Sequence, residues 1–289
     1  MKKLISVVLI CLCAVCLFSQ ENFQGFTKPS DFSEAVLAYD KSVSGMLSPL
    51  SNQLVKIFLG DKNDLSKRLD IFALAQLDSK ELRILRNMIY AQYGLRFNSA
   101  DLNDYFKNFP WYKPSSGNVD SKLTAVDKQN IELIQAFESR NENARTVNWG
   151  NAVGIWQDYF MMASGWAGRF VIFPNDRLEY RYSSMRNLPI IEVLRGTYSI
   201  KGNVLEFRVT EIDYRVHEAH VENNGIVGFD WADYSGDSNT ITFKNPLILK
   251  FPVTEIVSKK IGDERDNYQK DAITIGGIDF YKMRDDTKD

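Results

Sequence analysis

The chain's two histidines stand three residues apart in His217-Glu218-Ala219-His220, with Glu222 close behind. Imidazoles and carboxylates in one short run are the material of a metal or hydrolytic site. On a helix, however, two histidines meet one zinc ion when they lie four apart with a glutamate between them. A spacing of three breaks that geometry, and on a strand it sends the two rings to opposite faces. The run therefore reads as surface histidines, and a hydrolase using the His217/His220 region or dispersed carboxylates is the alternative. Asp230, Asp233 and Asp237, with Gly236 and Ser238, resemble a calcium loop but lack a terminal glutamate at EF-hand spacing. They read as a polar hairpin turn. Ser164-Gly165-Trp166 lacks the Gly-x-Ser-x-Gly frame of a nucleophile elbow. Nothing singles out a carboxylate pair for glycoside chemistry, and no catalytic residue, metal or cofactor is expected.

The cysteines bear on this through their position. Cys11, Cys13 and Cys16 all lie in the opening run MKKLISVVLICLCAVCLFSQE. Lys2 and Lys3 lead the uncharged apolar stretch Leu4 to Phe18, and Ser19 offers a small residue for cleavage. That stretch is shorter than the roughly 20 apolar residues that span a bilayer, so residues 1–19 read as a secretion signal. Cleavage there removes every cysteine, and with them disulfides and thiolate chemistry. Cys16 is the one lipidation candidate, but Val15 stands where lipoprotein signals carry a small residue. The expected locations are the periplasm or the outer cell surface, with no transmembrane segment in the mature chain.

Charge excludes a further class. Residues 20–150 carry sixteen basic and sixteen acidic side chains, and residues 151–289 carry seventeen and twenty-one. Nucleic-acid binding needs a cationic excess gathered on one surface, and neither part has one.

The elements that would position any site divide near residues 139–151. Before that point apolar residues recur at helical spacing, in an N-terminal helical segment (20–75) and a helical domain (76–142). Asp31 to Asp40, Ser48 to Leu59 and Asp64 to Ala75 read as helices. Asp78 and Glu81 form a capping-box start, followed by Leu82, Leu85, Ile89 and Tyr93 on one face, with Gly94 at a left-handed stop. Asn98 opens a short helix with Leu102, Tyr105, Phe106 and Phe109, ended by Pro110. Thr124 and Asp127 open another, striped by Val126, Leu133, Ile134 and Phe137. Arg86 and Asn130 interrupt these stripes. If buried, each needs partners, and bonds to loop backbone that fix the domain's geometry are the expected answer.

Residues 76–138 resemble the YARHG domain family. The resemblance rests on Arg86-Asn87, Tyr90-Ala91, Gly94, Tyr105-Phe106, Trp111-Tyr112 and Asn130-Ile131. It implies an extracellular bacterial module, one often joined to other domains. The motif's own arginine and histidine are here Gln92 and Tyr93, so chemistry needing that imidazole is absent. The retained types suit a structural role, with Trp111 packed on the helix that carries Asn130.

From about residue 150 to 285 the pattern is β. Leu178, Tyr180 and Tyr182 alternate with Arg177, Glu179 and Arg181, Leu205, Phe207 and Val209 with Glu206, Arg208 and Thr210, and Ile241 and Phe243 with Thr240 and Thr242. Turn signals stand at Pro174-Asn175-Asp176, Lys201-Gly202-Asn203, Gly236-Asp237-Ser238 and Gly276-Gly277. No helical stretch is long enough for βαβ crossovers, so the expected fold is α+β, with an antiparallel barrel or sandwich after the helices. Gly154-Ile155-Trp156 opening the first strand, with Arg284 in the last, is similar to lipocalins, as is Gly196-Thr197-Tyr198-Ser199-Ile200. That similarity implies that Arg284 packs across the Trp156 indole to close one barrel end. The functional expectation is a non-catalytic envelope module that binds a small apolar ligand or an envelope protein.

Overall fold

The computed structural model describes residues 54, 57, 58, 60–160, 167–183, 191–215, 220–222, 225–228, 238–261 and 268–287. These divide into two compact units, one through Ser139 and one from Arg140.

In the helical unit, Leu54, Ile57 and Phe58 are helical and buried, at the i, i+3, i+4 spacing of one apolar face. The expected single helix over 64–75 is instead two pieces: a 3-10 turn at Lys62–Ser66 and the short helix α1 (Ile71–Leu74). Side chains interrupt it. Asp70 caps α1 by accepting from the amides of Phe72 (2.7 Å) and Ala73 (3.3 Å), while Asn130 takes the backbone of residues 65–69. Helix α2 (Ser79–Ala91) begins with a capping box: Glu81 N–H donates to Asp78 Oδ1, and Asp78 N–H donates to Glu81 Oε2, both at 2.8 Å. Helix α3 (Ala100–Phe106) follows, with Ser99 rather than Asn98 at its N-cap. Helix α4 (Ala125–Glu138) opens with a second capping box from Thr124 and Asp127. Leu82, Leu85, Met88 and Ile89 of α2 are buried, as are Leu133, Ile134 and Phe137 of α4.

The second unit is antiparallel throughout its described pairs. Strands β1 (Gly154–Gln157), β2 (Arg169–Ile172) and β3 (Arg177–Arg181) form a meander, with the β2–β3 turn held by left-handed Asn175 and Asp176. Strands β4 (Ile191–Lys201) and β5 (Val204–Arg215) join through Gly202-Asn203. A separate ribbon pairs β6 (His220–Glu222) with β7 (Gly225–Gly228). Strand β8 (Ser238–Pro252) returns along β5, and β9 (Val257–Ile261), β10 (Tyr268–Ile275) and β11 (Ile278–Arg284) complete the order β8-β5-β4-β3-β2-β1-β11-β10-β9.

Phe170 of β2 gathers rings from distant strands. Its ring lies 4.8 Å from Tyr180 (β3), 4.9 Å from Phe280 (β11) and 6.2 Å from Phe251 (β8), centroid to centroid. The sheet therefore curves around a core that also buries Trp156, Phe207 and Leu249. It is nonetheless not closed into the expected barrel. Among the described residues, the end of β8 meets β10 at a corner alone, where Gly276 N–H donates to Pro252 O (2.9 Å) and Thr254 N–H to Thr274 O (3.2 Å). Over its length β8 follows β5, and among the described residues β9 pairs with β10 alone. Exposed Val257, Ser258 and Lys260 on β9 fit an edge strand, where lysines discourage further pairing.

Candidate functional site

Side chains at both ends of the contact between α2 and α4 tie the two helices together. Asp127, 1% exposed, sits at the third position of α4. Its Oδ2 accepts from Thr124 N–H (2.8 Å), the Thr124 hydroxyl (2.7 Å) and the Tyr93 hydroxyl (2.7 Å), and its Oδ1 accepts from Gln92 Nε2 (3.2 Å). The residues replacing the motif's arginine and histidine thus both hold one buried carboxylate, at a helix N-terminus that favours its charge. Burial, reinforced by the bond to Asp127, pushes the Tyr93 phenol up to about 12. At the other end of the contact, Arg86 Nε reaches Glu138 Oε2 at 2.9 Å, a half-buried ion pair. Arg86 therefore binds a side chain on α4 rather than loop backbone. Asn87 Nδ2 donates to Arg83 O within α2 at 2.7 Å.

Tyr90 is half-buried, and its carbonyl accepts from Leu95 N–H at 3.3 Å; Ala91 is buried. Gly94 has φ +80, and a Cβ there would lie 2.7 Å from Lys113 O and from Ser115 Oγ, so both conformation and close approach require glycine. The aromatic segment crosses at that point. Tyr112 donates to Leu95 O (2.9 Å), and Tyr105 donates to Phe58 O (3.4 Å). Phe106 is fully buried and stacks with Phe97 at 5.1 Å. Trp111 differs from expectation: it is half-buried, stacks on Phe109 at 5.3 Å and donates its indole N–H to Gly60 O at 2.9 Å.

Asn130 is fully buried and bonds to loop backbone as expected. Its Oδ1 accepts from Leu69 N–H (3.0 Å), and its Nδ2 donates to Lys67 O (2.9 Å) and Leu65 O (3.4 Å).

In the sheet unit, Gly154 opens β1 where a Cβ would lie 2.1 Å from Arg284 O. Trp156 is fully buried and donates Nε1–H to Ala152 O at 2.7 Å. A register shift after Ile155 pairs Ile155 with Arg284 and Trp156 with Lys282. The Lys282 ammonium consequently stands 5.6 Å from the indole centroid. Two features escaped the sequence reading. Asp127 was legible only as a helix opener. Glu179, one of the charged residues alternating along β3, is buried, with Oε2 accepting from Arg181 Nε and Nη2 at 3.0 and 2.9 Å. From Glu179 the charges continue through Arg195 to Asp213, which also accepts from the Thr240 hydroxyl. The register pairing of Glu179 with Arg195 was the signal that sequence alone lacked.

His217, Ser164 and the cluster Asp230, Asp233 and Asp237 lie outside the described residues, as do the opening signal and Cys16; His220 is described only as a backbone position of β6. Among the described residues, no group of three His, Cys, Asp or Glu side chains is arranged to hold a metal ion, and no helix is long and apolar enough to cross a membrane.

Fold and site together define an α+β protein in which a small helical module precedes a curved antiparallel sheet. The module is a YARHG domain: residues 62–139 match that family's model. The match begins at the 3-10 turn, ahead of the motif, and Asn130 is what ties that stretch to α4. No curated protein and no solved structure matches the chain.

Proposed function

We propose that the protein is an exported, non-catalytic binding module of the bacterial envelope, periplasmic or at the outer surface. Its YARHG domain acts as a rigid scaffold, and its sheet unit engages an envelope protein through its exterior. The observation carrying this reading is the ring packing around Phe170, which fills the concave side of the sheet with Tyr180, Phe251 and Phe280. A small barrel-like sheet either is filled by side chains or holds one small ligand, and this packing favours the first. The internal bonding of the YARHG signature supports the scaffold role.

A fluorescent fatty-acid probe titrated into the mature protein tests the ligand question. The expected result is no saturable binding and no tryptophan quenching, whereas Phe170→Ala, which opens a cavity, gains binding. Stoichiometric uptake by the wild type would replace this reading with a small apolar ligand held inside. Export is checked by mass spectrometry of the native protein. An N-terminus near Gln20 is expected, a retained Met1 would end the claim, and a diacylglyceryl Cys16 would make the protein a lipoprotein.

A further inference from the structure

Asp127 is a nearly fully buried carboxylate held by neutral donors. Among the described residues, the groups bonded to it are Gln92 and Tyr93 from the end of α2 and Thr124 from its own cap. None of these is a cation. The Lys122 ammonium bonds instead to the Tyr93 carbonyl oxygen, at 3.3 Å. Gln92 and Tyr93 are also the positions at which this YARHG domain departs from the letters of its family name. We infer that positions 92 and 93 form a latch tying the end of α2 to the start of α4 through Asp127, and that an amide and a phenol there give this chain's latch donors that do not change protonation near neutral pH.

The physical difference between the two fillings is definite. A guanidinium and an imidazolium would hold the carboxylate by charge-assisted bonds, stronger than neutral ones. The imidazole would also titrate near neutrality. Paired with a carboxylate, its folded-state pKa would rise above the unfolded value of ~6.5. Its contribution would be fully present below that value and lost as pH rises through the folded one. The Tyr93 phenol, pushed up to about 12, keeps its donor proton throughout that range. The neutral latch thus gives up charge strengthening and gains constancy. This inference is independent of what the sheet unit binds.

The test exchanges the pair as a unit in the full mature chain, because an imidazole is shorter than a phenol and an arginine longer than a glutamine. The wild type has two histidines, so Gln92→Arg/Tyr93→His adds one imidazole resonance to an NMR titration. That resonance is expected to titrate above ~6.5. The Tm of the double variant relative to wild type should be level below pH ~6.5, fall as pH rises through the raised imidazole pKa, and level off above it. An imidazole titrating at or below the ordinary value, with a pH-independent Tm difference, overturns the latch. Should the double variant not fold, Tyr93→Phe removes one donor and keeps the ring. Hydrogen exchange at the Thr124 and Asp127 amides should then quicken about tenfold, the equivalent of one hydrogen bond, while the Glu81 amide at the far end of α2 is unchanged. Unaltered exchange at Thr124 and Asp127 overturns the inference as well.

Discussion

In the helical unit, the buried polar side chains Asn130 and Asp127 bond to loop backbone, to a helix cap and to neutral donors on α2. In the sheet unit, the buried Glu179 turns to guanidinium groups, with Arg181 in contact and Arg195 at 3.5 Å. The first kind of partner is fixed in place by the fold. The second is a set of long, partly solvated side chains that can rearrange. The contrast suggests that polar substitutions are costly in the YARHG domain and mild on the sheet, where apolar packing around Phe170 dominates.

The largest effect should therefore come from the sheet's rings. Phe170 is fully buried and contacts rings of β3, β8 and β11. Phe170→Ala is expected to cost ~3–5 kcal/mol in chemical denaturation, from lost burial plus the cavity left behind. A cost under ~1 kcal/mol would mean that the sheet recloses around the gap, and the contrast between the units would fail on its apolar side.

Asn130→Ala comes next, because it leaves the Leu69 amide and the Leu65 carbonyl buried without their partner. Each abandoned group costs ~1–3 kcal/mol, so a loss of about 3 kcal/mol is expected, comparable to a core deletion. The readout is urea denaturation followed by helical circular dichroism. A loss below ~1 kcal/mol would show that water reaches these groups after all.

Glu81 sharpens the comparison through pH. Burial raises its pKa from 4.5 to about 7, against the opposing bond from the Asp78 amide. The folded state therefore holds the proton more tightly than the unfolded state does. The sign follows: stability falls as pH rises from about 4.5 to about 7 and is level above that. At ~1.4 kcal/mol per pH unit, that shift corresponds to roughly 3 kcal/mol as an upper bound. Glu81→Gln keeps an acceptor for Asp78 N–H and removes the charge. It should stabilise the protein at pH 8 by about 2 kcal/mol and flatten this part of the profile. An unchanged profile would mean that another group governs it.

How much of this was legible in the sequence depends on distance along the chain. Both capping boxes span three residues, Asp78 to Glu81 and Thr124 to Asp127, and pattern reading found their positions. Asn130 acts across 61 to 65 residues on a segment that looked like one continuous helix, and no local pattern announces that interruption. Strand alternation revealed the antiparallel sheet but carries no information on closure, which depends on whether the two edge strands meet along their length. The single-residue register shift after Ile155 is equally silent, yet it is what sets Lys282 over the Trp156 indole.

The smallest expected effect tests the sheet side of the contrast. Asp213 accepts from the Arg195 guanidinium and, at 2.8 Å, from the Thr240 hydroxyl. Burial alone would raise the Asp213 pKa, but the bonds from Arg195 and Thr240 outweigh it and hold the carboxyl below its ordinary value. The stability it supplies is therefore present at neutral pH and lost as pH falls through that lowered value. Asp213→Asn retains an oxygen for Thr240 and removes the ion pair, while Arg195 keeps Glu179 3.5 Å away. Arg195 is about a third exposed, so solvent and salt screen the pair. The expected cost is ~0.5–1 kcal/mol at pH 7, shrinking in high salt and vanishing at low pH, measured by denaturation across both series. A cost above ~2 kcal/mol that salt does not reduce would mean the stripe from Glu179 to Thr240 behaves as one cooperative network. The sheet's charges would then be as unforgiving as the backbone bonds of the YARHG domain, and the distinction between rearrangeable and fixed partners would not hold.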